Sequence, residues 1–423
     1  MQYIIVLLCF ISLLCPIHAA HAESPADNDL PQLQLAFLSD LHFIAPELTD
    51  YGSLFMHLIR NGDGKAVRYC AEITDAFIEQ IFDQPVDAVI LQGDLTFNGA
   101  VESHLALAEK LRRITDAGIP VYVIPGNHDV YNINAARFEG DHFERIESAT
   151  SARFREIWSA FGYDQADDCA PDSLSYVLNI APDFRLLMVD VNTENNIGVL
   201  TNPTLDWIRK QLDAAQSNNQ RIIAVSHQTL FSHNTLLTAG FQITGAEKLA
   251  SLYAASHVLC NICGHMHIQH ICGEETGLPE ISVSSAAVAP CQYGLLTLYR
   301  GRMEYHTEVI DVSGWAAKHE ISDPDLLDFS RYAAAFFAAS LLREMPSDAA
   351  TASQTIDQRK LIYLANLNAA YFSGNLTAFS ASDQGYRDLL EESGFWPIYL
   401  KSIEPDLSKN YTSFQYTFGG NEN

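Results

Sequence analysis

Five apolar runs of strand length each end in a short polar segment that carries hard-donor side chains. These segments are Asp40-Leu41-His42, Gly93-Asp94, Gly126-Asn127-His128-Asp129, Ser226-His227 and Gly264-His265-Met266-His267. Short apolar runs bounded by turn residues read as buried strands. Open sheets hold their working groups just outside the carboxyl ends of such strands. The five segments are therefore expected to meet at one sheet edge, in the outline of a two-metal centre.

The residue types fit that outline. Asp and His supply oxygen and imidazole nitrogen, a set suited to zinc, iron or manganese more than to a thiolate-selective metal. In Asp40-x-His42 the two-residue spacing puts both side chains on one side of an extended segment, with Leu41 directed to the core. His265-x-His267 repeats the spacing with two imidazoles. Gly93, Gly126 and Gly264 each precede a candidate ligand, where a sharp turn or a close backbone approach is needed. Singly, each residue also has a plainer role: Asp94 could cap a helix, Asn127 could hold a turn, and His227 could be a hydrogen-bonded core histidine. The ordered set carries the metal reading.

Between these segments the pattern alternates strand and helix. Strands are expected at 33–38, 87–91, 121–124, 176–180, 185–191, 221–225 and 258–262, and at 281–285, 293–299 and 302–310. Helices are expected at 67–82, 102–117, 138–161 and 204–215, and 43–65 reads as an insertion or long loop beside the site. The rhythm predicts a mixed α/β core with helices on the sheet faces. After about residue 314 the composition shifts to apolar, helix-forming stretches at 331–342 and 356–372, with a third at 383–393. The expected organisation is a signal peptide (1–22), a linker (23–32), a catalytic domain (33–314) and a helical C-terminal domain (315–423).

A chain of 423 residues with 48% hydrophobic content is long and apolar enough for a large core, which excludes wholesale disorder. Its 25 Lys plus Arg against 52 Asp plus Glu give a formal charge of -27, a field that repels polyanions and argues against a nucleic-acid scaffold. A small anionic substrate remains compatible, because bound divalent ions reverse the local potential. The apolar run 4–14 and the exit Ala20-His21-Ala22 resemble a secretory leader cleaved after Ala22, although no Lys or Arg precedes the run. A secreted or periplasmic protein with no transmembrane domain in its mature chain is expected. Lipidation at Cys15 is the lesser alternative, since Leu13 and Leu14 are bulky where small residues belong. Beyond the leader stand Cys70, Cys169, Cys260, Cys263, Cys272 and Cys291. Export permits disulfides among them, and sequence does not choose a pairing. Cys260-x-x-Cys263 has redox or zinc-ligand spacing but lacks a second compact pair, so strand packing or a disulfide is the expectation.

Taken in order, Asp40-x-His42, Gly93-Asp94, Gly126-Asn127-His128-Asp129, His227 and Gly264-His265-x-His267 resemble the five-part signature of the calcineurin-like metallophosphoesterase family over residues 33–310. Within it the chain is most similar to bacterial class III cyclic-nucleotide phosphodiesterases that carry a helical C-terminal domain. The long spacer between His42 and Asp94 departs from the pattern. The resemblance implies a four-layer β-sandwich flanked by helices, holding two divalent or mixed-valence ions of iron, manganese or zinc. Asp40, His42, Asp94 and His267 would hold the first ion; Asp94 would bridge to a second, completed by Asn127, His227 and His265. His128 would face the substrate and stabilise phosphate or protonate the leaving group, and Asp129 would orient its ring.

The implied activity is hydrolysis of a small phosphodiester, foremost a 3′,5′-cyclic nucleotide, by a hydroxide shared between the metals. Two ions about 3.5 to 4 Å apart neutralise phosphate charge and lower the pKa of a bound water. A 2′,3′-cyclic nucleotide or a phosphomonoester could use the same centre. Phe43, Tyr51, Phe97 and Tyr131 lie near the motifs and could stack on a base. A different class of reading is a noncatalytic envelope interaction protein with a structural metal site.

Overall fold

Period-two burial in the aliphatic runs determines how the sheets pack. The computed structural model describes residues 30–343 and 358–418, so the expected leader and most of the linker lie outside the described residues. Its strands are, in chain order, β1 (Leu33–Leu38), β2 (Ala88–Gln92), β3 (Val121–Ile124), β4 (Ala136–Glu139) and β5 (His142–Arg145). There follow β6 (Asp168–Cys169), β7 (Tyr176–Ala181), β8 (Phe184–Val189), β9 (Arg221–Ser226) and β10 (Cys260–Cys263). The last are β11 (His270–Cys272), β12 (Glu280–Ser282), β13 (Gln292–Tyr299), β14 (Arg302–Val309) and β15 (Ser413–Thr417).

Two mixed sheets result, one six-stranded in the order β15-β14-β13-β1-β2-β3 and one seven-stranded in the order β11-β12-β10-β9-β8-β7-β6. On β8 and β9 the side chains of Leu186, Met188, Ile223 and Val225 join the core shared with Leu35, Phe37, Ile90 and Val123 of the other sheet. The alternate residues Leu187, Val189, Ile222 and Ala224 face outward into a second core under helices Asn202–Ser217 and Ala246–Ala255. Helices Cys70–Phe82 and Val101–Asp116 cover the first sheet, burying Phe77, Ile78, Ile81, Leu107 and Leu111. Helix, sheet, sheet, helix is the expected four-layer sandwich, held by apolar burial from both faces of each sheet. The parallel strands β1, β2 and β3 and the parallel run β8, β9, β10, β12 point their carboxyl ends to one rim.

The expected strands and helices of the catalytic region form close to their anticipated bounds, with one clear exception. The helix expected at 138–161 is instead the β4–β5 hairpin followed by a short helix, Ser151–Ile157. Residues Ala136 and Phe138 are buried while Arg137 and Glu139 are exposed, the alternation of a strand. Gly140, at φ 60°, turns the chain between the two strands. The expected loop at 43–65 contains a helix, Ser53–Arg60, whose Phe55 packs on Phe138 with ring centroids 5.2 Å apart.

The C-terminal region contains helices Phe329–Arg343, Gln358–Ser373 and Gln384–Leu390, and also Phe395–Ile403, which the sequence pattern did not mark. The last three build a third core that takes in Met266 and Ile268 of the sandwich, while Phe329, Ala333 and Phe337 of the first join the main core. The chain then returns as β15 and pairs antiparallel with β14. The six cysteines among the described residues are free thiols, and Cys260 and Cys263 are buried in β10, in line with strand packing. Among the described residues no helix is long and apolar enough to cross a membrane.

Candidate metal centre

Each of the five polar segments leaves the carboxyl end of its strand and turns sharply. Asp40, His42, Asp94, His265 and His267 all adopt positive φ, between 46° and 66°. Non-glycine residues rarely hold that conformation, and where they do the strain clusters at functional sites. Glycine is required beside them: at Gly93, φ 94°, a Cβ would stand 2.5 Å from Nδ1 of His227, and at Gly264 it would overlap the Ser39 hydroxyl.

The side chains converge in two overlapping groups. Candidate donor atoms of Asp40, His42, Asp94 and His267 lie within 4.8 Å of one another, as do those of Asp94, His227 and His265. Asp94 belongs to both. Its Oδ2 lies 3.8 Å from Nε2 of His42 and its Oδ1 lies 3.3 Å from Nε2 of His227. In the first group Nε2 of His267 lies 3.3 Å from Nε2 of His42 and 3.3 Å from Oδ1 of Asp40.

Protonation explains why this arrangement fits cations. His227 Nδ1 lies 2.8 Å from the Gln92 carbonyl and donates to it, which makes Nε2 the lone-pair nitrogen of the neutral ring. That nitrogen faces Oδ1 of Asp94 and, at 3.2 Å, Oδ1 of Asn127. Three acceptors directed at one point are reconciled by a cation. His265 likewise gives Nε2 to the Gly240 carbonyl at 3.0 Å, leaving Nδ1 as its lone-pair nitrogen. Buried Oδ1 of Asp40 has no hydrogen-bond donor, whereas its Oδ2 accepts from Ser39 Oγ and from His265 N. An orphaned carboxylate oxygen at this depth is costly unless an ion meets it.

Electrostatics reinforce the grouping. Burial would raise the Asp94 carboxyl, yet His227, His128 and His42 hold it well below the ordinary carboxylate value. With no ion bound, burial would lower His227, but the charges of Asp94 and Asp40 carry it up to about 9, so a proton on Nε2 takes the place among these acceptors that a cation would otherwise fill. His265 is pushed down to about 4, by burial first and then by the His227 charge. Positive charge is thus held at His227, while His265 stays neutral, the form that ligates a metal.

His128 stands at the mouth, its side chain 32% exposed, with Nε2 3.9 Å from Oδ2 of Asp94. Its ring is oriented by Nδ1 donating to the Phe97 carbonyl at 2.8 Å. The expectation that Asp129 orients this ring is therefore corrected. The buried Asp129 carboxylate instead accepts from the backbone of Leu95, Thr96 and Gly126 and from the Thr96 hydroxyl, at 2.8 to 3.0 Å. It ties the Asp94 loop to the Asn127 loop.

Asp63, which sequence reasoning passed over, reaches to 3.5 Å of Nδ1 of His267 from the segment after helix Ser53–Arg60. Its flanking glycines, Gly62 and Gly64, were the available signal. A cavity of about 370 Å³ is lined by His128, by the apolar residues Phe97, Phe138 and Leu58, and by the polar residues Asn98, Asn132, Asp63 and Lys65. Of the four aromatic candidates only Phe97 lines it. Phe43 is buried in the core, Tyr51 packs edge-on against Phe55, and Tyr131 is partly buried on the main core.

Residues 33–269 match the profile of the calcineurin-like phosphoesterases, and residues 311–410 match the C-terminal domain of cyclic nucleotide phosphodiesterase. A protein of Arcobacter nitrofigilis named "Probable glycerophosphodiester phosphodiesterase" is 27% identical over 190 residues, 43% of this chain; the match spans only 56% of that relative's length. A "Probable cyclic nucleotide phosphodiesterase" of a Pseudoalteromonas species is 25% identical over 236 residues, covering 56% of this chain and 72% of the relative. Among solved structures, a dimetal phosphatase from Danio rerio aligns with 66% of this chain and 96% of its own at 16% identity and a TM-score of 0.49. The chain belongs to the calcineurin-like phosphoesterase family, whose members are metal-dependent hydrolases of phosphoesters.

Proposed function

We propose that this phosphoesterase cleaves phosphodiesters and that its leading substrate is a 3′,5′-cyclic nucleotide, opened to the nucleoside monophosphate. The observation that carries this reading is the cavity beside His128. Its volume of about 370 Å³ lies within the range of small-molecule sites, and it joins an apolar wall to amide and ammonium groups. Such a lining suits a base against Phe97 and a sugar phosphate toward the metal-binding groups. The match of residues 311–410 and the printed name of the Pseudoalteromonas relative support the same substrate class.

In this reading two ions of zinc, iron or manganese would be held by Asp40, His42, Asp94 and His267 on one side and by Asp94, Asn127, His227 and His265 on the other. When bound, they would supply charge neutralisation at the phosphate and a water nucleophile active near neutral pH. The chain's own residues do the positioning. Gln92 and Gly240 fix two imidazoles through their carbonyls, and Asp129 holds the Asp94 and Asn127 loops in register. His128, with Nδ1 committed to Phe97, has only Nε2 with which to meet the substrate. A proton on that nitrogen would pass to the departing ribose oxygen. Lys65, on the cavity wall, pairs with Asp63 at 3.2 Å.

A parallel hydrolysis assay of cyclic AMP, cyclic GMP, a 2′,3′-cyclic nucleotide, a glycerophosphodiester and a phosphomonoester tests this. The highest kcat/KM is expected on a 3′,5′-cyclic nucleotide. Turnover confined to the monoester would overturn the diester reading, and a preference for the 2′,3′-cyclic nucleotide or the glycerophosphodiester would overturn the substrate. Metal uptake without hydrolysis of any of them would favour the envelope interaction protein.

A further inference from the structure

We infer that the protein carries a separate thiophilic cation site, suited to zinc, at His233, His270 and Cys272. The three residues come from the loop after β9 and from β11, at the far edge of the seven-stranded sheet. His270 and Cys272 are two residues apart on one strand, so their side chains share a face. Candidate donor atoms of all three lie within 4.8 Å of one another.

The proton count makes the case. Nε2 of His233 lies 3.0 Å from Oε1 of Glu280, and Nε2 of His270 lies 3.2 Å from Oδ1 of Asp406. Both carboxylates are fixed as acceptors: Glu280 also accepts from the backbone of Leu230 and Phe231, and Asp406 from the Tyr411 hydroxyl. Each Nε2 therefore donates, and each neutral ring is left with a lone pair on Nδ1. Those two Nδ1 atoms face each other at 3.0 Å. Two lone pairs at that distance repel unless one ring takes an extra proton or both bind a cation.

Cys272 decides between the two. A sulfur beside two imidazoles adds nothing to a shared proton but completes a nitrogen and thiolate ligand set for zinc. Its Sγ lies 3.8 Å from Nδ1 of His233, close to the edge of a tetrahedron with bonds of about 2.0 Å to nitrogen and about 2.3 Å to sulfur. The same Sγ is 3.6 Å from Nε2 of His233, so bonding to an ion on Nδ1 needs a turn of the Cys272 side chain about Cα–Cβ. Carboxylates that hold the outer nitrogens of metal-bound imidazoles are the usual support of such sites. Asp406 follows the last C-terminal helix, so the ion would clasp that region to the sheet edge.

Cobalt substitution tests the site without reference to turnover. The proposed catalytic centre offers only oxygen and nitrogen, so a sulfur-to-cobalt charge-transfer band reports a thiolate site, and Cys263, which stands with His233 and Glu280, is the neighbouring thiol the test must separate from Cys272. Wild-type protein loaded with Co²⁺ should show that band and bind one equivalent more than Cys272→Ser, which should lose the band yet still hydrolyse a chromogenic phosphodiester. Cys263→Ser, which removes the neighbouring thiol beside His233 and Glu280, should keep it. Absence of the band in folded wild-type protein, or its persistence in Cys272→Ser, would overturn the site. Should Cys272→Ser not fold, His270→Gln gives the same comparison.

Discussion

His128 and Asp129 are neighbours with opposite work. The His128 ring touches the cavity with Nε2 3.9 Å from Oδ2 of Asp94, while the 2.8 Å hydrogen bond to Oδ1 of Asp94 comes from its backbone N, so loss of the ring should spare the metals. His128→Ala is expected to lower kcat by about 100-fold to 10,000-fold, the usual share of a general acid, with metal content unchanged. Full turnover at saturating substrate would remove it from the chemistry. Asp129 is buried and satisfies three backbone donors. Asp129→Ala leaves those donors unpaired and should cost about 3 to 5 kcal/mol of stability. Denaturant unfolding reads this; a change under about 1 kcal/mol would contradict the tie between the two loops. The difference between these residues was not legible from their adjacency. A motif names residue types, whereas the direction of a side chain follows from backbone turns that only the folded loops reveal.

At the scale of elements, the segment 264–268 shows how an apolar residue serves a polar site. Met266 lies between two candidate ligands and points the other way, into the C-terminal core beside Leu364, Leu367 and Trp396. Met266→Ala should destabilise the protein by about 2 to 4 kcal/mol, as other buried Met truncations do, and weaken metal retention because both flanking imidazoles lose their anchor. Thermal unfolding and equilibrium dialysis against a chelator check the two effects, and loss of neither would free the loop from that core. The strands that feed the site were readable because β1, β2, β3 and β9 are largely apolar runs closed within two residues by glycine or serine, and because Val258 and Leu259 lead into β10. The β4–β5 hairpin was not, because Phe154, Ile157 and Phe161 recur at helical spacing and extend a helical reading back across it. Only the exposure of Arg137 and Glu139 separates the two patterns.

Across the whole molecule, the C-terminal region is bound to the catalytic sandwich by three different devices. Its helices bury Met266 and Ile268, its last strand extends the six-stranded sheet through β14, and the Ser373 carbonyl accepts from Gln292. A chain ending at residue 311 would expose that apolar surface and leave β14 as an open edge. It is expected to lose most of its soluble yield and its phosphoesterase activity. Recovery of a soluble, fully active fragment would make the region an independent appendage. Its helical character was visible in composition, but the return of β15 was not. A five-residue strand with alternating exposure is too short to stand out, and its partner lies more than one hundred residues earlier in the chain.

The shared carboxylate of Asp94 is the point on which the catalytic account rests. Diffraction from metal-loaded crystals, collected on either side of the metal absorption edge, addresses it directly. The account predicts two anomalous peaks about 3.5 to 4 Å apart, one on each oxygen of Asp94. A single peak, or two peaks of which only one touches Asp94, would contradict it.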